Sequence, residues 1–149
     1  MPESSGWHGE NRSADRRILA KVNEARMKGR KCGNKYYKAA RPLVWSETLG
    51  QVALNHSLDM AENDFLSHVG SDGSDPGERL SKAGYGWTAY GECIGEGHRT
   101  PEEAVNGWLK SEMHCGNIMN PEFKEAGSAF ARSRSFTTYW TLVLGTPGR

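Results

Sequence analysis

Four side chains combine acid–base or metal-binding chemistry with turn-rich positions. They are His68 in SHVGSDG, Glu92 in GECIGEG, and Glu112 and His114 in SEMH. Two imidazoles and a carboxylate can bind a divalent cation and leave coordination positions open. The metal set this allows is His68 and His114 with Glu92, and zinc is the cation that suits it. Zinc on the two histidines would lower the pKa of a bound water, with Glu92 or Glu112 as general base, so a metal-assisted hydrolase is one reading. A plainer reading pairs the same His and Glu side chains as a buried polar cluster that holds loops in place. The residues lie far apart along the chain, so only a fold that gathers them makes a site.

Other chemistries have less support. The sequence has no G-x-S-x-G, G-x-x-x-x-G-K-[ST], H-E-x-x-H or G-x-G-x-x-G motif. His114 adjoins Cys115 and Cys93 follows Glu92, but neighbours on a loop seldom form a nucleophile–base pair. Cys32, Cys93 and Cys115 make an odd set with no C-x-x-C spacing, which disfavours a zinc ribbon or a thioredoxin-type motif. Spacing alone leaves open one bridge plus a free thiol, or three thiols. The plain reading of Cys93 is a small buried hydrophobe.

The elements that must position these residues follow from periodicity and caps. Ile18, Leu19, Val22 and Ala25 recur at helical spacing, and Gly29 ends that helix. Ser46 is an N-cap for a long helix from Glu47 to about Asn63, whose wide apolar stripe includes His56. A histidine on such a face is more often a hydrogen-bonded core residue than a ligand. Asp75-Pro76-Gly77-Glu78 opens a short helix that ends at Gly84, and Thr100-Pro101-Glu102-Glu103 opens another. The stretch GYGWTAYGECIGEGH reads as a loop with a brief strand near Cys93-Ile94, and SEMHCGNIMNPEF as a helical turn and loop. Ala126–Ala131 and Thr137–Leu144 form a closing hairpin. Helices followed by a hairpin give an α+β layered sandwich, with 1–14 as a flexible tail and 15–149 as one domain.

With 149 residues, 19 Lys+Arg against 18 Asp+Glu, and a net charge of +1, the chain is no dedicated nucleic-acid binder with a broad basic face. No apolar run is long enough to span a membrane, and the first residues lack the apolar centre of a signal peptide. From Arg26 to Arg41 the chain has seven basic residues, no acid, and Tyr36 and Tyr37 among them. This reads as a solvated loop, or as a contact patch for an anionic surface.

The segments LAKVNEAR, LVWSETLGQVALNHSLDMAEN, FLSHVGSDGSDPGERLSKAGY, GECIGEG, PEEAVNGWLKSEMHCGNIMNPEFKEAGSAFA and YWTLVLG together resemble a bacterial member of the CAP superfamily. That name joins the cysteine-rich secretory, antigen 5 and pathogenesis-related proteins, and the domain is also called SCP-like. The resemblance implies a three-layer α-β-α sandwich, an extracellular or periplasmic location, and a cleft lined by two His and two acids. His68, Glu92 and Glu112 match the family's first histidine and its two acids. Tyr139 stands where the eukaryotic branch has its second histidine, so His114 is the candidate, as in the bacterial S-x-x-H pattern. Cys93 stands where the motif usually has Asn. Relatives carry cysteines resembling Cys32 and Cys115, so the resemblance implies that these two pair. It also implies a non-enzymatic binder of a small or lipid-like ligand, in a cleft able to hold a divalent cation.

Overall fold

The computed structural model describes residues 5–148. Helix α1 is Ser5–Lys28, followed by the hairpin strands β1 (Arg30–Cys32) and β2 (Lys35–Tyr37), and by β3 (Val44–Trp45). Then come α2 (Glu47–Asn63), α3 (Pro76–Lys82), β4 (Trp87–Glu96), α4 (Pro101–Lys110), α5 (Glu112–Met119), β5 (Glu125–Arg132) and β6 (Thr138–Pro147). The main sheet has the order β3-β5-β6-β4, with β4 and β5 both antiparallel to β6 and β3 parallel to β5.

Period-two alternation in β5 and β6 assigns the layers. Phe130, Trp140, Leu142 and Leu144 face α1, α4 and α5, packing with Ile18, Val22, Val105, Trp108 and Ile118. Ala129 and Val143 face the other way, against Leu49, Val52 and Ala53 of α2 and Leu80 of α3. Helices therefore cover both faces of an antiparallel-dominated sheet, which is the α-β-α sandwich expected of the CAP resemblance. Capping chemistry sets the helix starts. Ser46 Oγ accepts from Leu49 N–H at 3.2 Å. Asp75 and Glu78 form a reciprocal capping box. Thr100 Oγ1 accepts from Glu103 N–H, but the Glu103 carboxylate reaches back to Arg99 N–H instead of Thr100 N–H.

Four elements differ from the sequence reading. The expected tail 1–14 is helical from Ser5 (residues 1–4 lie outside the described residues), and Asn11 Oδ1 accepts from Phe130 N–H on β5. The basic loop contains the β1–β2 hairpin, with Lys31 opposite Tyr36. The Gly-rich stretch is a ten-residue strand, β4, and not a loop with a brief strand. Its glycines serve packing: a Cβ on Gly95 would sit 2.9 Å from His98 Nε2, and one on Gly91 would sit 3.0 Å from the Phe123 ring. The SEMH segment is a full helix, α5.

The α1–β5 contact carries an unusual acid. Asp15 accepts from Ser128 Oγ at 3.1 Å. Burial, offset in part by that bond and reinforced by Glu47, pushes its carboxyl up to about 7 from 3.8. A raised folded pKa means that the native state holds a proton the unfolded chain releases. No stability is lost below the unfolded value, and loss grows as pH rises through the folded value. Asp15→Asn removes that loss. It is expected to stabilise by on the order of 1–2 kcal/mol at about pH 8, after discounting for solvent screening, with the gain vanishing near pH 4. Urea denaturation at the two pH values checks this.

Candidate functional site

The sequence of β4 sends Glu92 inward. Its side chain is 2% exposed, so both carboxylate oxygens need partners. Arg79 supplies one from α3, with Nη2 donating to Oε2 at 3.0 Å. His68 supplies the other from the loop after α2, with Nδ1 donating to Oε1 at 2.7 Å. Arg79 also donates through Nη1 to the Ser74 carbonyl at 2.9 Å, so one guanidinium ties loop, helix and strand together. The His68 side chain keeps 46% of its exposure and presents its far edge to solvent.

Helix α5 docks on β4 beside this cluster. Asn117 Nδ2 donates to the Glu92 carbonyl at 3.4 Å, and the Cys93 thiol points to the His114 carbonyl at 3.9 Å. His114 is half-buried. Burial lowers its pKa, and the positive charge of nearby His68 lowers it further. His68, Glu92 and His114 therefore lie around one site. Glu112 is turned elsewhere. It is exposed at the start of α5, and its carboxylate covers the hairpin turn, where a Cβ on Gly33 would sit 2.5 Å from Glu112 Cδ. Gly33 has φ +62°, a left-handed conformation that favours glycine at that turn.

Two further constraints hold α5. A disulfide joins Cys32 of β1 to Cys115 across a sequence separation of 83. Arg26, read from sequence as part of the basic patch, is instead fully buried. Its guanidinium donates to the carbonyls of Arg41, Ile118, Asn120 and Phe123, at 2.7–3.2 Å. Burial lowers its pKa, while the carbonyl ends of α5 give the cation favourable partners. Arg26 and Arg79 are the site-building residues that sequence reasoning did not single out. Their partners lie on distant segments, and no local pattern marks them.

The chemical capacity of the site follows from these bonds. Each Glu92 oxygen accepts one hydrogen bond, Oε1 from His68 and Oε2 from Arg79, which fixes the plane of the carboxylate. Burial pushes the Cys93 thiol far above its ordinary range, so it stays protonated and unreactive. Among the described residues, no group of three or more His, Cys, Asp and Glu side chains is arranged to hold a metal ion. The donors present do not fit a three-ligand zinc centre. What the site offers is an oriented, exposed imidazole beside a second imidazole held neutral by its surroundings.

Comparison with known proteins agrees with this geometry at the level of fold. The chain belongs to the CAP, or cysteine-rich secretory protein, family, whose model matches residues 19–144. It is 35% identical over 98 residues to the protein YkwD of Bacillus subtilis, covering 66% of this chain and 38% of that one. It is 27% identical over 137 residues to the membrane protein YlbC of the same organism, covering 90% of this chain and 37% of that one. The chain thus spans well under half the length of these curated relatives. Among solved structures, it is similar to an extracellular SCP-domain protein of Bacillus anthracis, with a TM-score of 0.81 and 25% identity over 97% of this chain and 44% of that one.

The two partners of Glu92 are unequal. Glu92→Ala leaves the Arg79 cation buried without its counter-charge, and is expected to cost roughly 3–5 kcal/mol. His68→Ala unpairs one buried oxygen of Glu92 but opens it to water on the side where His68 is half-exposed, and is expected to cost about 1–3 kcal/mol. Urea midpoints of the two variants check the order. Equal losses would contradict the geometry.

Proposed function

We propose that this is an extracellular, non-catalytic CAP domain that binds a lipid-like anionic ligand at an envelope surface. The family assignment and the extracellular Bacillus anthracis relative support the location. Among the described residues, no helix is long and apolar enough to cross a membrane.

One observation carries the binding reading. Tyr36 is 63% exposed on the β1–β2 hairpin, beside the exposed Lys31 and Lys35, and the Cys32–Cys115 disulfide fixes that hairpin to the helix that carries His114. Met27, at the end of α1, adds a second exposed apolar side chain, 56% open, next to Lys28. Cationic side chains around exposed apolar tips suit anionic headgroups, with each Lys near the surface contributing about 1 kcal/mol. Rigid attachment lowers the ordering cost of contact. His114, one residue before the disulfide-bonded Cys115, would offer a hydrogen bond to the ligand's polar end. This reading invokes no catalytic step, and the Cys93 thiol is buried and protonated. The reading also needs no divalent cation.

Co-sedimentation with phosphatidylglycerol vesicles tests the proposal. The wild-type protein is expected to pellet at about 50 mM salt and to be released at about 500 mM. Phosphatidylcholine vesicles are expected to leave it in solution. The double reversal Lys31→Glu, Lys35→Glu is expected to abolish pelleting with the fold intact. Pelleting that ignores salt or survives the reversal would contradict the proposal.

A further inference from the structure

A cavity of about 450 Å³ opens where α1 and α2 meet at the β3–β5 edge of the sheet. That volume is of the size that small-molecule sites have. Leu19, Leu54 and Ala129 give it apolar walls, and Trp45 of β3 adds an indole. The ring is held in place. Its Nε1 donates to Glu47 Oε2 at 3.2 Å, and it lies so close to α2 that a Cβ on Gly50 would sit 2.7 Å from Trp45 Cζ2.

Four charged side chains line the same cavity: Asp15 and Glu47, and the exposed Arg12 and Arg16. Among the described residues, no ion pair joins the two acids to the two arginines. Asp15 is the most constrained of the four. Its Oδ1 accepts from Ser128 Oγ. Its Oδ2 accepts nothing among the described residues and is not sealed from the cavity. Burial and the neighbouring Glu47 disfavour its charge, only the Ser128 bond opposes them, and no cation compensates. Asn11, one turn earlier on α1 and 9% exposed, lines the cavity too, and its Nδ2 has no acceptor. This wall therefore holds polar capacity that the fold leaves unused.

Unpaired charges of both signs around an apolar hollow complement a molecule that carries both charges and an apolar body. A polycation would meet the two arginines, and a polyanion the two acids. We infer that the α1–α2 cavity binds a zwitterion with an apolar side chain, an amino acid or a short peptide. Its ammonium rests on Asp15 and Glu47, its carboxylate on Arg12 and Arg16, and its side chain on Leu19, Leu54 and Trp45. An ammonium at Asp15 favours the ionised carboxyl, so binding near about pH 6 releases a proton. The inference does not rest on the proposed surface binding.

The test is a titration with phenylalanine and with the dipeptide Ala-Phe, read by the Trp45 indole N–H resonance and by calorimetry in phosphate and in Tris at about pH 6. At least one of the two is expected to give a saturable shift below about 10 mM, and which one binds separates a free amino acid from a peptide. The heats are expected to differ between the buffers by the released proton. Phenethylamine lacks the carboxylate and 3-phenylpropionate lacks the ammonium, and each is expected to bind about tenfold or more weakly. Asp15→Asn, whose folding the urea measurement above monitors, and the exposed pair Arg12→Ala, Arg16→Ala are each expected to weaken binding to the same extent. The inference is overturned by absence of a saturable shift with both zwitterions, by equal affinity for either one-charge analogue, by equal heats in the two buffers, or by unchanged binding in either variant.

Discussion

A carboxylate removed from water needs both of its oxygens paired, and the site depends on how Glu92 meets that need. Strand β4 carries it into the interior with 2% of its side chain exposed. Arg79 and His68 satisfy it from two different segments. The pairing therefore fixes the loop from Ser67 to Asp75 and the start of α3 against the sheet. A buried ion pair adds little net stability against a hydrophobic replacement, yet breaking one side of it is expensive. Glu92 thus acts mainly as a specifier of position, and His68 is oriented because its Nδ1–H has one acceptor to point at.

The other half of the site is held by different physics. Helix α5 is short, and it packs on β4 through Asn117 and the Cys93–His114 contact. Arg26 gathers four backbone carbonyls, two of them at the end of α5, while the disulfide fixes Cys115 to the hairpin. Closing a loop of this length contributes on the order of 4 kcal/mol in the chain-entropy model. The two anchors leave His114 a half-buried imidazole whose proton is disfavoured by burial and by His68. Its depressed pKa means that the unfolded chain takes up a proton more readily than the folded one, so this histidine contributes stability above the unfolded value that is lost as pH falls through the folded one.

Much of the architecture could be read from the sequence because local signals and global structure agree there. The stripe and Ser46 cap of α2, the Pro-containing starts of α3 and α4, and the alternation of β5 and β6 are all local. Other elements could not be read, for identifiable reasons. Gly91 and Gly95 look like turn residues, but they occupy β4 because bulky rings approach the strand there. The N-terminal segment is polar, yet Asn11 and Asp15 hydrogen-bond to β5 while Ala14 packs into the core beside them. Arg26 lies in a run of surface cations and is itself buried, which composition does not reveal. Three of the candidate residues, His68, Glu92 and His114, lie around one place. Glu112 shares their chemistry but covers the turn at Gly33. Spacing could not separate these outcomes, because they depend on how α5 is rotated against β1 and β4.

The measurement that tests the central role of Glu92 most directly is a double-mutant cycle on its buried pair, using Arg79→Met, Glu92→Gln and the double variant in urea denaturation. The account predicts strong non-additivity, with the double variant more stable than the sum of the singles by about 1.5–3 kcal/mol. Additivity to within about 0.5 kcal/mol would mean that the two groups do not depend on each other, and that something other than this ion pair positions the site.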